Sequence, residues 1–363
     1  MAILILKKKN ITLCMKLINR ILQLFKAIIE NPLSLLRFSL SILLGKKLVG
    51  YLQYLGELAN NAQYELSKTW FTNLLPELLI DYDAHILQNL KLIVIIFALS
   101  ASIGFLGRLS LLILAFLSFY ILGLIEGIGS FDHHLSLSCQ VIFALSLVPG
   151  SMRLSMDFLL LKFYKRLKKK YVAFNKTPKW SINLILLLVA LTYFSAGISK
   201  LRYGNGIKWL DGSTLSFYLK EQTLKYDEGD MQLIIGDSKI TDKKKWKDSY
   251  GFIAHTYANF QSSKKMNVIA NYIASNKFLV VILSIGSVML ELLCFIVFIN
   301  SKYRNIYLIS AIIFHSSIGA LMGISFRQYR LICFCLIDWN YLINVLKTYV
   351  KKIKLKQIPY FTR

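Results

Sequence analysis

Acidic residues are scarce in this chain. Nineteen aspartates and glutamates stand against 44 lysines and arginines over 363 residues, a formal net charge of +25. Residues 160–179 contain no acid at all, yet hold Lys162, Lys165, Arg166, Lys168, Lys169, Lys170, Lys176 and Lys179. The five cysteines (Cys14, Cys139, Cys294, Cys333, Cys335) form no CxxC pair, which removes the usual redox and zinc-ribbon frameworks. Serine-hydrolase, phosphate-loop and dinucleotide-binding motifs are missing, as are the HxxxH and ExxH spacings of helical metal sites. The N-terminus has lysines and an apolar stretch but no small-residue cleavage site, so no removable signal is expected. Internal repeats and low-complexity tracts are also lacking.

What is abundant is apolar sequence: 55% of residues are hydrophobic, and mean hydropathy is +0.52. Several runs reach the ~20 residues that a bilayer crossing needs. Only helices satisfy their own backbone groups in lipid within one segment, so the expected fold class is all-α, a polytopic membrane helical bundle. Residues 1–30 read as an amphipathic helix lying on the cytoplasmic surface. About eight crossings are expected, over 33–58, 90–106, 109–128, 133–148, 180–200, 277–299, 304–324 and 331–346. A loop over 202–276 and a basic tail over 348–363 complete the division, with 31–347 as the transmembrane domain. The cations lie between the apolar runs, which is the pattern of cytoplasmic flanks against anionic lipid and calls for no nucleic-acid partner. Placing 160–179 in the cytoplasm also puts the N-terminal lysines, Arg108, Lys302, Arg304 and the tail there. The start of the fourth run and the end of the fifth then share the outer side.

Ionisable groups inside apolar runs are costly and are therefore functional candidates. They are Glu126, His133, His134, Lys200, Glu291, His315 and Asp338. Neighbouring helix positions point about 100° apart, so only one of His133 and His134 can face a given pocket. Lys200 closes the run from 182 to 198, where that run is expected to meet water. Two readings of it stand: an anchor snorkelling to headgroups, or a desolvated amine able to act as a base. The small residues Ser195, Ala196, Gly197 and Ser199 before it suit a packed helix face. Glu291 and His315 each read either as structural hydrogen-bond partners or as parts of a site. No metal is expected from the spacing of these groups.

Three blocks carry a resemblance. They are Asp132-His133-His134-Leu135-Ser136-Leu137; Ala196-Gly197-Ile198-Ser199-Lys200-Leu201 followed by Trp209-Leu210-Asp211-Gly212; and Phe314-His315 through Ile318-Gly319, Ile324-Ser325-Phe326 and Arg330-Leu331-Ile332. In this order the chain resembles the HTTM family, the membrane domain shared with vitamin K-dependent γ-carboxylase. The resemblance implies catalytic roles for Lys200 as the base toward a quinol, and for His134 and His315. His133, Glu291, Glu126 and Trp209 would support or bind the substrate. A vitamin K hydroquinone-like quinol, membrane lipid and a multi-pass location in a bacterial inner membrane, with both termini cytoplasmic, follow from it. The sequence departs from the carboxylase in a longer Lys200–Trp209 spacing, in Arg327 and Arg330, and in holding no counterpart of its large soluble domain. A quinol-handling core is thus expected rather than peptide carboxylation. The rival classes are a small-solute or proton-coupled transporter and a non-catalytic membrane scaffold.

Overall fold

A computed structural model describes residues 30–59, 84–127, 135–148, 151–163, 178–202, 209–227 and 262–356. The N-terminal amphipathic helix expected over 1–30 lies outside these, but for its last residue. Twelve α-helices and no strand occur among the described residues. They are α1 (Pro32–Ala59), α2 (Ala84–Ile103), α3 (Gly107–Gly127), α4 (Ser136–Leu147), α5 (Met156–Phe163), α6 (Lys179–Arg202), α7 (Ser213–Asp227), α8 (Lys264–Ser275), α9 (Lys277–Leu292), α10 (Ser301–Met322), α11 (Arg327–Leu336) and α12 (Trp339–Lys356). The chain is an all-α polytopic membrane protein. Its contacts divide it into two compact units, Asn183–Ile337 and the remainder.

In the unit formed by the N-terminal half with the C-terminal tail, α1 packs along α2, α2 on α3 and α3 on α4. A leucine stripe explains why α1 is helical and buried despite Arg37, Lys46 and Lys47. Leu33, Leu36, Leu40, Leu44, Leu48, Leu52 and Leu55 recur every three or four residues and are at most 2% exposed. Gly45 makes the contact close, since a Cβ there would stand 2.5 Å from the Ala98 Cβ. The opposite face of α2 exposes Leu92, Ile93, Ile96 and Leu99, as a lipid-facing surface should.

Arg37 is 1% exposed and holds this unit's far end together. Its guanidinium donates to the carbonyls of Ser151 at 2.8 Å, Leu154 at 2.6 Å and Ser102 at 3.2 Å. The Asp157 carboxylate accepts from the Leu106 and Gly107 amides at 2.9 and 2.7 Å, capping α3 from fifty residues away. The turn between α2 and α3 therefore sits at Gly104-Phe105-Leu106, not at Gly107-Arg108 as the sequence suggested. Gly104 has φ +72°, and a Cβ on it would meet the Arg37 Nη1 at 2.8 Å.

In the other unit α7 packs on α8, and both reach α10, while α10 also packs on α11. Tyr218, Leu219, Ala270, Ala274, Met322 and Ile324 form a buried cluster there, with Trp209 and Phe326 against it. The expected loop 202–276 thus includes two helices that cover the end of α10. The helix α9 tightens into a 3₁₀ turn over Leu293–Phe298, and Gly323, at φ +73°, ends α10 in the left-handed conformation.

Among the described residues five helices are long and apolar enough to cross a membrane: His85–Ile103, Gly107–Ile125, Lys179–Arg202, Lys277–Phe298 and Ser301–Met322. Three of the expected crossings differ. The first run is helical but is not among these five. The fourth is helical over only 12 described residues, about 18 Å against a ~30 Å hydrocarbon core. The last, 331–346, is two helices broken at Ile337-Asp338, and would be a sixth crossing only if the pair is taken as one. Asp338 causes the restart, accepting from the Tyr341 amide at 3.0 Å as the cap of α12.

Candidate functional site

The site is assembled on one face of α6. Tyr193, Gly197 and Lys200 are four and seven residues apart, so they lie along one stripe of the helix. Gly197 lets α6 close on α9: a Cβ there would be 3.0 Å from the Leu292 Cδ2 and 3.1 Å from the Glu291 Cβ. One turn earlier the Phe194 and Phe295 rings meet edge to face at 5.4 Å. This antiparallel register brings Lys200 against Glu291.

The Lys200 Nζ donates to the Glu291 Oε1 in a direct ion pair, with the two side chains 19% and 6% exposed. Glu291 is fourteen residues into α9, about 21 Å along the helix axis. Lys200 lies in the last turn of α6, and its amine turns to a carboxylate on α9.

The segment after α6 covers the pair. Trp209 places its ring 5.1 Å from the Lys200 Nζ, and its Nε1 donates to the Ser287 Oγ at 3.4 Å. The Phe314 ring lies 5.9 Å from the same amine on the α10 side. Each part of Trp209-Leu210-Asp211-Gly212 has a physical task. The Gly212 amide closes the turn onto the Trp209 carbonyl at 3.2 Å. Asp211 accepts from the Ser213 amide at 2.8 Å and starts α7. Gly212, at φ +78°, presses on α9 so closely that a Cβ would be 2.5 Å from the Val280 Cγ1.

A second polar group lies two turns back along α6, about 10 Å from Lys200. Here the His315 Nε2 and the Tyr193 hydroxyl share a hydrogen bond of 2.7 Å. The Tyr193 hydroxyl also lies 4.0 Å from the Cys333 Sγ. Tyr193 and His315 are 3% and 6% exposed. Phe326 lies 4.4 Å and Tyr329 5.3 Å from the imidazole, centroid to centroid. Tyr307 packs edge-on against Tyr193 at 5.8 Å.

The structure thus brings together Lys200, Glu291 and Trp209, and sets His315 beside Tyr193 in the deeper group. His133 and His134 lie outside the described residues. Glu126 is in the last turn of α3, but its side chain is likewise outside the description. Sequence reasoning passed over Tyr193, Tyr307 and Cys333 as site members, although the seven-residue spacing of Tyr193 and Lys200 was there to be read. It also passed over Arg37, whose burial resembles that of the residues it did select. Among the described residues no three His, Cys, Asp or Glu side chains cluster as a metal centre would require.

This arrangement offers an amine and a carboxylate that share one proton under an aromatic cover. The pair has the same net charge whether that proton sits on nitrogen or on oxygen. Comparison with known proteins gives one family match, to the HTTM domain, over residues 25–237. No curated protein and no solved structure matches the chain. The matched span contains Lys200 and Trp209 and stops short of Glu291 and His315. Because it covers more than half of the sequence, the chain belongs to the HTTM domain family.

Proposed function

We propose that this protein is a membrane enzyme acting on a quinol or a similar lipid-soluble phenol, with Lys200 as the base. The observation that carries the reading is the Lys200–Glu291 pair, held between the Trp209 and Phe314 rings within an apolar helix bundle. A planar phenol fits such surroundings: aromatic rings can stack on it, and a base with a carboxylate partner can take its hydroxyl proton. The phenol would supply the electrons for oxygen-dependent chemistry, as a vitamin K-type hydroquinone does. Lys200 would accept its proton, Glu291 would hold and orient the amine, and Trp209 would cover it. His134 is assigned by family resemblance to steadying the phenolate. On this reading the site would lie toward the outer leaflet of a bacterial inner membrane with both termini cytoplasmic, an orientation that the distribution of basic segments supports.

The test is quinol consumption by membranes carrying Lys200→Ala or Lys200→Arg. Loss of turnover in both supports the base. Unchanged turnover removes it, and solute flux that depends on Glu291 with no conversion of any quinone would point to transport instead. Native mass spectrometry of the purified protein adds a direct readout, a co-purifying menaquinone or ubiquinone being the supporting result.

A further inference from the structure

A cavity of about 450 Å³ lies in the first unit, beside the turn from α2 to α3. That volume falls within the ~300–1,000 Å³ of small-molecule sites. Leu106, Leu109, Met152, Phe158, Leu160 and Leu161 line it, with Arg108 and Asp157 as its polar members. Water gains nothing from such apolar walls, so the groups beside them decide what enters. We propose that the cavity holds an acyl chain of one anionic phospholipid, whose phosphate is bound by Arg108 and Lys162. This site is independent of the quinol reading.

The walls are surfaces that already face outward. No residue of α5 is buried, and Phe163 at its end is 81% exposed. Leu106, Leu109 and Leu160 are exposed as well. The eight residues of α5 extend about 12 Å, too little to cross a ~30 Å hydrocarbon core. A short, exposed apolar helix with a lysine in its last turn suits the boundary between acyl chains and headgroups.

The charges beside the cavity select the headgroup. Asp157 is the one acid among the lining residues, and both of its oxygens are taken by the Leu106 and Gly107 amides. Arg108 is exposed and donates from Nη2 to the Leu147 carbonyl at 3.0 Å. A guanidinium carries five N–H groups in a fork that matches a phosphate, so donors remain for one. Lys162 is exposed and stands four residues after Phe158, on the flank of the cavity-lining stripe of α5. The sequence then adds seven more cations and no acid up to residue 179. Such a segment draws anionic lipid toward it. Arg108 and the start of that segment, assigned to one side of the membrane by charge alone, share this cavity.

Two rivals use the same walls. An ordinary boundary lipid would sit here no more firmly than on the exposed face of α2, and a neutral isoprenoid quinol would leave both cations unused. The deciding experiment is photolabelling of the full-length protein in phosphatidylcholine vesicles. The probe is a trace of phosphatidylglycerol with a diazirine in its acyl chain, and a matching phosphatidylcholine probe is the control. Adducts are mapped by peptide mass spectrometry. Those on Leu92, Ile96 and Leu99 of α2 give the level of ordinary lipid contact and report that each variant is inserted.

The site predicts that the phosphatidylglycerol probe marks Met152 and residues 158–161 several-fold above α2, whereas the phosphatidylcholine probe does not. Arg108→Gln and Lys162→Gln should each lower the excess about fivefold, the effect of one basic side chain near an anionic headgroup. Leu161→Trp should fill the cavity and remove the excess, with α2 labelling unchanged. Equal labelling of cavity and α2, or equal marking by both probes, would overturn the proposal. So would glutamine variants that label like the parent, or displacement of the probe by menaquinone as readily as by unlabelled phosphatidylglycerol.

Discussion

Replacing Lys200 and Glu291 one at a time and then together separates the structural weight of the pair from its chemistry. Lys200→Met leaves the Glu291 carboxylate, 6% exposed, with neither oxygen partnered. Stranding a buried charge costs about 3–5 kcal/mol, and this side should reach that range. Glu291→Leu strands an ammonium that keeps 19% exposure and the Trp209 face. Water and the ring relieve part of its penalty, so about 2–4 kcal/mol is expected. The double variant Lys200→Met/Glu291→Leu strands nothing. Both replacements are apolar and close in volume, and methionine packs well against Trp209 and Phe314. Its cost should be within about 1 kcal/mol of the parent, leaving the two single costs in excess of the double by about 4 kcal/mol or more. The assay is reversible unfolding of each purified variant in mixed micelles, combined with quinol turnover. Costs that simply add would refute the pairing. A double variant that is as stable as the parent and has no turnover would show that the charges are kept for chemistry, since the fold does without them.

Arg37→Met leaves three carbonyl oxygens, of Ser102, Ser151 and Leu154, without their donor inside the first unit. It should lower stability by about 3–5 kcal/mol, with Arg37→Lys recovering part of the loss; a methionine variant with the parent's unfolding midpoint would count against the clasp. Gly212→Val meets both a φ of +78° and Val280 at 2.5 Å. It should cost about 1–3 kcal/mol and lift Trp209 off Lys200, seen as faster acetic anhydride labelling of that lysine; an unchanged rate would mean that the Trp-Leu-Asp-Gly turn does not hold the cover.

The parts of this structure that were legible in the sequence are those governed by the cost of charge in lipid. Lys200 and Glu291 could be picked out because each is an isolated ionisable group in an apolar run, and two such groups of opposite sign have strong reason to meet. The leucine spacing of α1 was equally open to reading. Arg37 was not. It shares its run with Lys46 and Lys47, which makes all three look like solvated charge. Its acceptors are backbone carbonyls 65 to 117 residues away, and these leave no mark on residue type. Tyr193 was hidden for another reason: a tyrosine in an apolar helix looks like one more ring until its hydroxyl is seen to face a histidine. The break at Ile337-Asp338 was missed because an aspartate at the end of an apolar run was counted as a lone charge. Its local use as a helix cap was not considered.

The family match ends at residue 237, so it separates Lys200 from the two groups that give that lysine its character. Physically the two parts cannot be independent. Without α9 the ammonium would have no counterion, and Gly197 would have no helix to close on. Without α10 the Tyr193 hydroxyl would lose the imidazole that it bonds. A free lysine at the end of α6 would then do what lysines at helix ends in membranes do, and reach for the headgroups. The residues beyond the matched span therefore supply the partner that distinguishes this lysine from a free one. They supply a carboxylate within reach of the amine, and the lysine is held in a largely buried ion pair instead of standing free.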